Sequence, residues 1–135
     1  VPTVFVDTVA WIALLNRSDA LRPRTLEVMA TLRQQKAHLV TTELVLLEVA
    51  DALSAPRFRS QVVAFIDGLR QSGVTQIIPG GQDLLDAGWE LYGQRPDKEW
   101  GLTDCTSFVV MEQQQITQAV TSDQHFEQAG FVKLL

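Results

Sequence analysis

Short unbroken apolar runs alternate along this chain with longer stretches whose apolar positions recur at helical spacing. Val4–Val6 is such a run and predicts a buried strand. Thr8–Asn16 follows as a helix in which Val9, Trp11, Ile12, Leu14 and Leu15 cover most of the circumference. Arg22–Gln35 is a second helix, with Leu26, Met29, Ala30 and Leu32 on its apolar side and Pro23 tolerated in the first turn. His38–Val40 is a short strand, and Thr42–Ser54 a helix that ends ahead of Pro56. Phe58–Gln71 is a further helix, closed by Gly73. The β-branched run Val74–Ile78 is a strand stopped by Pro79-Gly80-Gly81. Gln82–Tyr92 is helical, residues 94–101 form a loop, and Thr103–Gln115 is helical again. Gln118–Thr121 is a strand, Gln124–Ala129 a short helix ended by Gly130, and Phe131–Leu134 the last strand.

Strands that alternate with helices predict an α/β sandwich around a parallel sheet. Five strands and six or seven helices fit the 135 residues, with no repeat or linker to divide them, so one domain over 1–135 is expected. In sheets of this kind ligands bind beyond the carboxyl ends of the strands. The residues that matter are therefore those where a strand ends and a helix begins.

Three carboxylates stand at or close to such positions. Asp7 ends the first strand, Asp123 follows the fourth, and Asp104 opens a helix. Glu48 lies within the apolar segment Leu44–Ala50, where a charge needs either water or a partner. Each Asp taken singly reads equally as a helix cap, accepting a backbone N–H for about 1 kcal/mol. Their joint placement at one sheet edge is harder to account for by capping, because like charges at low dielectric repel. A hard cation would neutralise them, and all-oxygen donors suit Mg²⁺ or Mn²⁺ rather than zinc.

Composition narrows the chemistry further. Sixteen acids against eleven bases give a net charge of −5, which excludes nucleic-acid binding through bulk charge. Two bound divalent cations would bring that figure to −1 and reverse the field at the site. Cys105 is the only cysteine, so there is no disulfide scaffold, and neither His38 nor His125 is placed to serve it as a base; a packing thiol is the better reading. Gly80-Gly81 lacks the Lys-Ser/Thr of a phosphate-binding loop. No apolar run is long enough to span a membrane and no basic segment precedes an apolar one at the N-terminus, so a cytoplasmic location without a membrane partner is expected. Trp11 and Trp89 fit helix faces and read as core.

Four blocks of residues, in order, resemble the PIN-domain family, most closely its stand-alone VapC-type toxins. They are Val4-Phe5-Val6-Asp7-Thr8, Thr41 to Val49, Leu102 to Phe108, and Ala119 to Phe126 with Ala129-Gly130-Phe131. The resemblance implies a Rossmann-like α/β/α sandwich with a central, mostly parallel five-stranded sheet. It also implies a metal-dependent endoribonuclease, with Asp7, Glu48, Asp104 and Asp123 holding one or two Mg²⁺ or Mn²⁺ ions. Thr8 and Thr103 match supporting hydroxyl positions. Asp97, in the distinctive segment Arg95–Trp100, is a further acid that would assist them.

Substrate contacts are sought in Arg22, which stands where relatives frequently carry His, and in Lys98. Trp100 either stacks on a base or packs beneath its loop. By the same resemblance the chain would be a homodimer held in check by a small antitoxin. The apolar stretch Val62–Ile66 would then belong either to that interface or to the core. Two other readings compete: a scaffolding protein of the same fold whose acids only cap helices, and a nuclease directed at DNA.

Overall fold

The computed structural model describes all residues 1–135. Five strands form one sheet: β1 (Thr3–Val6), β2 (His38–Thr42), β3 (Thr75–Ile78), β4 (Gln118–Val120) and β5 (Val132–Lys133). Seven helices separate them: α1 (Thr8–Leu15), α2 (Arg22–Gln34), α3 (Glu43–Ala52), α4 (Pro56–Ser72), α5 (Gln82–Gln94), α6 (Leu102–Gln113) and α7 (Gln124–Gln128). The strand order is β3-β2-β1-β4-β5, and all four pairings are parallel. The sheet is thus wholly parallel. Right-handed crossovers run one way from β1 through β2 to β3 and the other way from β3 to β4 and on to β5, which places the first four helices on one face and the last three on the other.

All boundaries fall within two residues of the expected ones, and the small departures have local causes. The second strand runs on through Thr42, whose hydroxyl caps α3 by accepting the Val45 N–H at 3.0 Å. The fourth stops at Val120 because Thr121 turns its hydroxyl toward Asp7. Helix α4 starts at Pro56, where a missing N–H costs nothing, and ends at Gly73, which takes a left-handed φ of 69°.

The central strand is fully dry: Val4, Phe5 and Val6 expose nothing to solvent. A cluster of aromatic rings underlies its far side. Phe108 of α6 meets Trp100 edge-on at 5.0 Å and Phe126 of α7 edge-on at 4.9 Å, and Phe126 lies 6.3 Å from Phe5. These rings fix α6 and α7 against the sheet, and with them the acids those helices carry. Trp89 departs from the expectation that it is core: it is 62% exposed, its ring stacked on that of Tyr92. The apolar positions that α5 does bury are Leu84 and Gly88 instead.

Gly88 sets the distance between α5 and α6. A Cβ there would meet Thr106 Cγ2 at 2.4 Å, with the Thr106 backbone N at 3.2 Å behind it. Gly88→Ala should therefore cost about 1–3 kcal/mol through overpacking, although alanine is the better helix former. Urea denaturation of the two proteins measures it. No helix is long and apolar enough to cross a membrane.

Candidate active site

Strand order creates the site. From central β1 the chain goes to β2 and β3 on one side and then crosses to β4 and β5 on the other, so the crevice at the carboxyl ends of β1 and β4 is the switch point where such sheets bind ligands. Phe5 pairs with Ala119 and Val6 with Val120, which brings Asp7 and Thr121 side by side just past the strands. The Thr121 hydroxyl donates to Asp7 Oδ2 at 2.9 Å, and the Asp123 N–H in turn donates to Thr121 Oγ1 at 3.1 Å.

Asp7 is only 4% exposed and makes no side-chain capping bond to α1. Burial pushes its carboxyl up to about 7, against the opposing effect of the Thr121 hydroxyl and the Thr8 N–H. The charges of Asp104 and Glu48 raise it further. The other two aspartates do cap helices. Asp104, in the first turn of α6, accepts the Gly101 N–H at 3.2 Å, and Asp123 accepts the His125 N–H at 2.9 Å. Burial raises the Asp104 carboxyl as well, with the His125 side-chain bond opposing that and the Asp123 charge adding to it. Capping explains two of the three aspartates in part; it does not explain Asp7. Glu48 is exposed on α3, yet its charge reaches Asp7, and α3 packs against the α6 that carries Asp104. The four acids thus sense one another in a chain, Glu48 to Asp7, Asp7 to Asp104, and Asp104 to Asp123.

A fifth residue completes the group. His125 Nδ1 lies 3.1 Å from Asp104 Oδ2 and 3.3 Å from Asp123 Oδ1. Sequence reasoning passed over it, because a histidine in a short polar helix carries no periodic signal. Its spacing of two residues from Asp123 was the only available sign. Cys105 is buried beside these acids, and burial together with the Asp104 charge pushes its thiol up, away from the thiolate that a nucleophile needs.

Several expected contacts lie elsewhere. Trp100 is 6% exposed, donates from Nε1 to Gln128 Oε1 at 3.0 Å, and packs on Phe108; no base can stack on it. Arg22 spends its guanidinium on the Ala13 and Leu14 carbonyls at the end of α1, so it closes a helix rather than facing a substrate. Both oxygens of Asp97 bind Arg95 at 3.0 Å, which holds the carboxyl down at about 2. Asp97 is therefore paired outside the acidic group instead of assisting it. Lys98, 3.9 Å from Asp97, lines an open cleft that also includes Gly101, Leu102 and Cys105, the neighbours of Asp104. Thr103 sits one residue before Asp104, its carbonyl accepting the Thr106 hydroxyl at 2.7 Å.

Residues 4–132 match the model of the PIN domain. This chain belongs to the PIN-domain family. It is 30% identical over 131 residues, 97% of each chain, to the 23S rRNA-specific endonuclease VapC20 of Mycobacterium tuberculosis. The crystal structure of that protein, described as a sarcin–ricin-loop-cleaving toxin, superposes with a TM-score of 0.86, covering 96% of this chain and 97% of the other. The fold is shared at lower identity with VapBC2 of Rickettsia felis (13%, TM-score 0.71, covering 97% and 96%) and FitAcB of Neisseria gonorrhoeae (15%, TM-score 0.65, covering 96% and 94%).

PIN-domain nucleases use divalent metal, and the residues of this PIN domain fit such an ion. Asp104, Asp123 and His125 offer three donor atoms within 4.8 Å of one another. Next to Asp7, the hydroxyl of Thr8 is buried and has no hydrogen-bond partner. Two carboxylates and an imidazole held this close, with Asp7 in electrostatic reach of Asp104, form a donor set for a divalent cation.

Proposed function

We propose that this PIN domain is a metal-dependent endoribonuclease and the toxin of a toxin–antitoxin pair, cutting the sarcin–ricin loop of 23S rRNA in the cytoplasm. The observation that carries this reading is Asp7: a carboxyl buried at the switch point, uncapping, raised to about 7 and in electrostatic reach of two further acids. A residue that only stabilised the fold would not be kept in that state. Asp7, Asp104 and Asp123 hold one or two Mg²⁺ or Mn²⁺ ions, and Glu48, reaching in from α3, orients water. The ion supplies Lewis-acid polarisation of a phosphoryl oxygen and a lowered pKa for the attacking water.

The chain's own residues do the rest. Thr121 fixes the Asp7 carboxylate through its 2.9 Å bond to Oδ2. The capping bonds of Asp104 and Asp123 hold each carboxylate toward the site, so less order has to be acquired when substrate binds. Lys98, lining the adjoining cleft, meets a phosphate of the bound strand. The antitoxin lays an apolar segment into the groove of about 650 Å³ between α1, α2 and α4, which is lined by Trp11, Leu14, Met29, Leu32, Phe65 and Leu69. The exposed stripe Leu85, Trp89 and Tyr92, one face of α5, supports a homodimer.

Incubation with an RNA hairpin carrying the sarcin–ricin sequence tests the reading, beside a DNA hairpin of the same sequence and an RNA hairpin of altered loop. Cleavage of the first alone, dependent on Mn²⁺ or Mg²⁺ and abolished by chelator, is expected. A cut DNA hairpin moves the assignment to the DNA-directed reading. No cleavage of any substrate, with no Mn²⁺ taken up in calorimetry, leaves the scaffolding reading in its place.

A further inference from the structure

We infer that His125 is a nitrogen ligand to the divalent cation of this site, and that it makes the site select Mn²⁺-class ions over Mg²⁺. The inference rests on the nuclease reading only in supposing that a cation is bound. The local chain geometry brings the imidazole there. Asp123 caps α7 by accepting the His125 N–H at 2.9 Å, which folds the backbone of residue 125 back over the same carboxylate. Phe126, fully buried against Phe5 and Phe108, prevents the short helix from turning away.

The two spacings from Nδ1 are those of adjacent donors in a coordination sphere. For an octahedral ion with donors at about 2.1 Å, adjacent donors lie roughly 3.0 Å apart and opposite ones roughly 4.2 Å. Nδ1 is 3.1 Å from Asp104 Oδ2 and 3.3 Å from Asp123 Oδ1, and all three donor atoms lie within 4.8 Å of one another. In the free protein Nδ1 faces both carboxylates at these distances. On ligation the Nδ1 lone pair would face the ion, with the ring hydrogen on Nε2. Two carboxylates and a neutral imidazole balance the charge of one dication. Imidazole suits Mn²⁺ and the later transition ions, whereas Mg²⁺ favours oxygen and sheds water reluctantly.

Pulsed EPR of Mn²⁺ bound to the full-length protein tests the ligand directly. Nitrogen-14 modulation from coordinated imidazole is expected in the wild type and absent in His125→Ala. Calorimetry of the same pair should show the Mn²⁺ Kd rising at least about tenfold and the Mg²⁺ Kd changing less than about threefold. Should His125→Ala fail to fold, nitrogen-15 histidine in a His38→Gln background keeps the test open. The chain has two histidines, and the exposed His38 lies at the start of β2, so any altered modulation then belongs to His125. Bound Mn²⁺ without nitrogen coupling overturns the inference, as does an equal loss of both metals, which would make His125 a positioning residue for the two carboxylates. Absence of Mn²⁺ binding removes the inference and the nuclease reading together. Nitrogen-coupled Mn²⁺ without RNA cleavage removes the nuclease reading alone.

Discussion

Asp7→Asn is expected to lower RNA cleavage at least a hundredfold while the protein remains folded. The substitution keeps the shape of the side chain and an oxygen to accept the Thr121 hydroxyl, but removes the negative charge that a cation requires. Loss of a residue that only orients a metal ligand already costs 10–100-fold in affinity or activity, so loss of a direct ligand should cost more. The effect should fall on kcat and on metal affinity together, measured with the sarcin–ricin hairpin over a titration of Mn²⁺. Activity within tenfold of wild type would mean that Asp7 is not a ligand, and the assignment of the site would fail with it. The exposed Glu48 should be less sensitive, because water can take over much of its role.

The same residue should make the metal-free protein more stable in mild acid than in base. The Asp7 carboxyl titrates near 3.8 when the chain is unfolded and at about 7 when it is folded, chiefly because burial disfavours the charged form. Between those values the folded state binds the extra proton. The contribution is therefore fully present below about 3.8 and is lost as pH rises through about 7. The difference corresponds to roughly 4 kcal/mol as an upper figure, a sizeable share of the 5–15 kcal/mol by which domains are stable. Urea midpoints measured in chelator at pH 5 and pH 8 should show the fall, and Asp7→Asn should flatten it and be the more stable protein at pH 8. Saturating Mn²⁺ should restore the wild type at pH 8 alone, since an ion that binds ionised Asp7 takes the place of the proton. A wild-type midpoint that is the same at both pH values would refute the buried, only partly compensated charge on which the site is built.

These two expectations separate activity from stability at one position. A carboxylate surrounded by Val6, Thr8, Val120 and Thr121, all buried, is a poor choice for folding and a good one for holding a metal. The fold tolerates it because Thr121 and the Thr8 N–H offset part of the burial cost. The remainder is the strain that functional sites commonly carry.

Much of this was legible before any coordinates. The short apolar run Val4–Val6 ahead of a helical stretch reads as a buried strand, and helical spacing through Arg22–Gln35 and Thr103–Gln115 reads as helix, as found. Side-chain period is a local property, and the chain states it directly. The acids at strand ends were visible for the same reason, since a charge placed just after a dry strand stands out against its neighbours. Trp89, Trp100 and Arg22 could not be placed this way. Whether a tryptophan on a helix or loop faces solvent depends on what packs over it, and Phe108 and Gln128 cover Trp100 while nothing covers Trp89. Arg22 was drawn to the open carbonyls of the preceding helix, a partner that only the turn between α1 and α2 supplies.

The elements, their alternation and the identity of four acids that a shared site would need can be read from the residues alone. That β4 pairs with β1 emerges only on folding, because strand order follows from long-range burial and the handedness of crossovers, neither of which is written in any local stretch. That pairing sets Thr121 on Asp7 and brings α7 over α6, and so it alone could place His125 between Asp104 and Asp123.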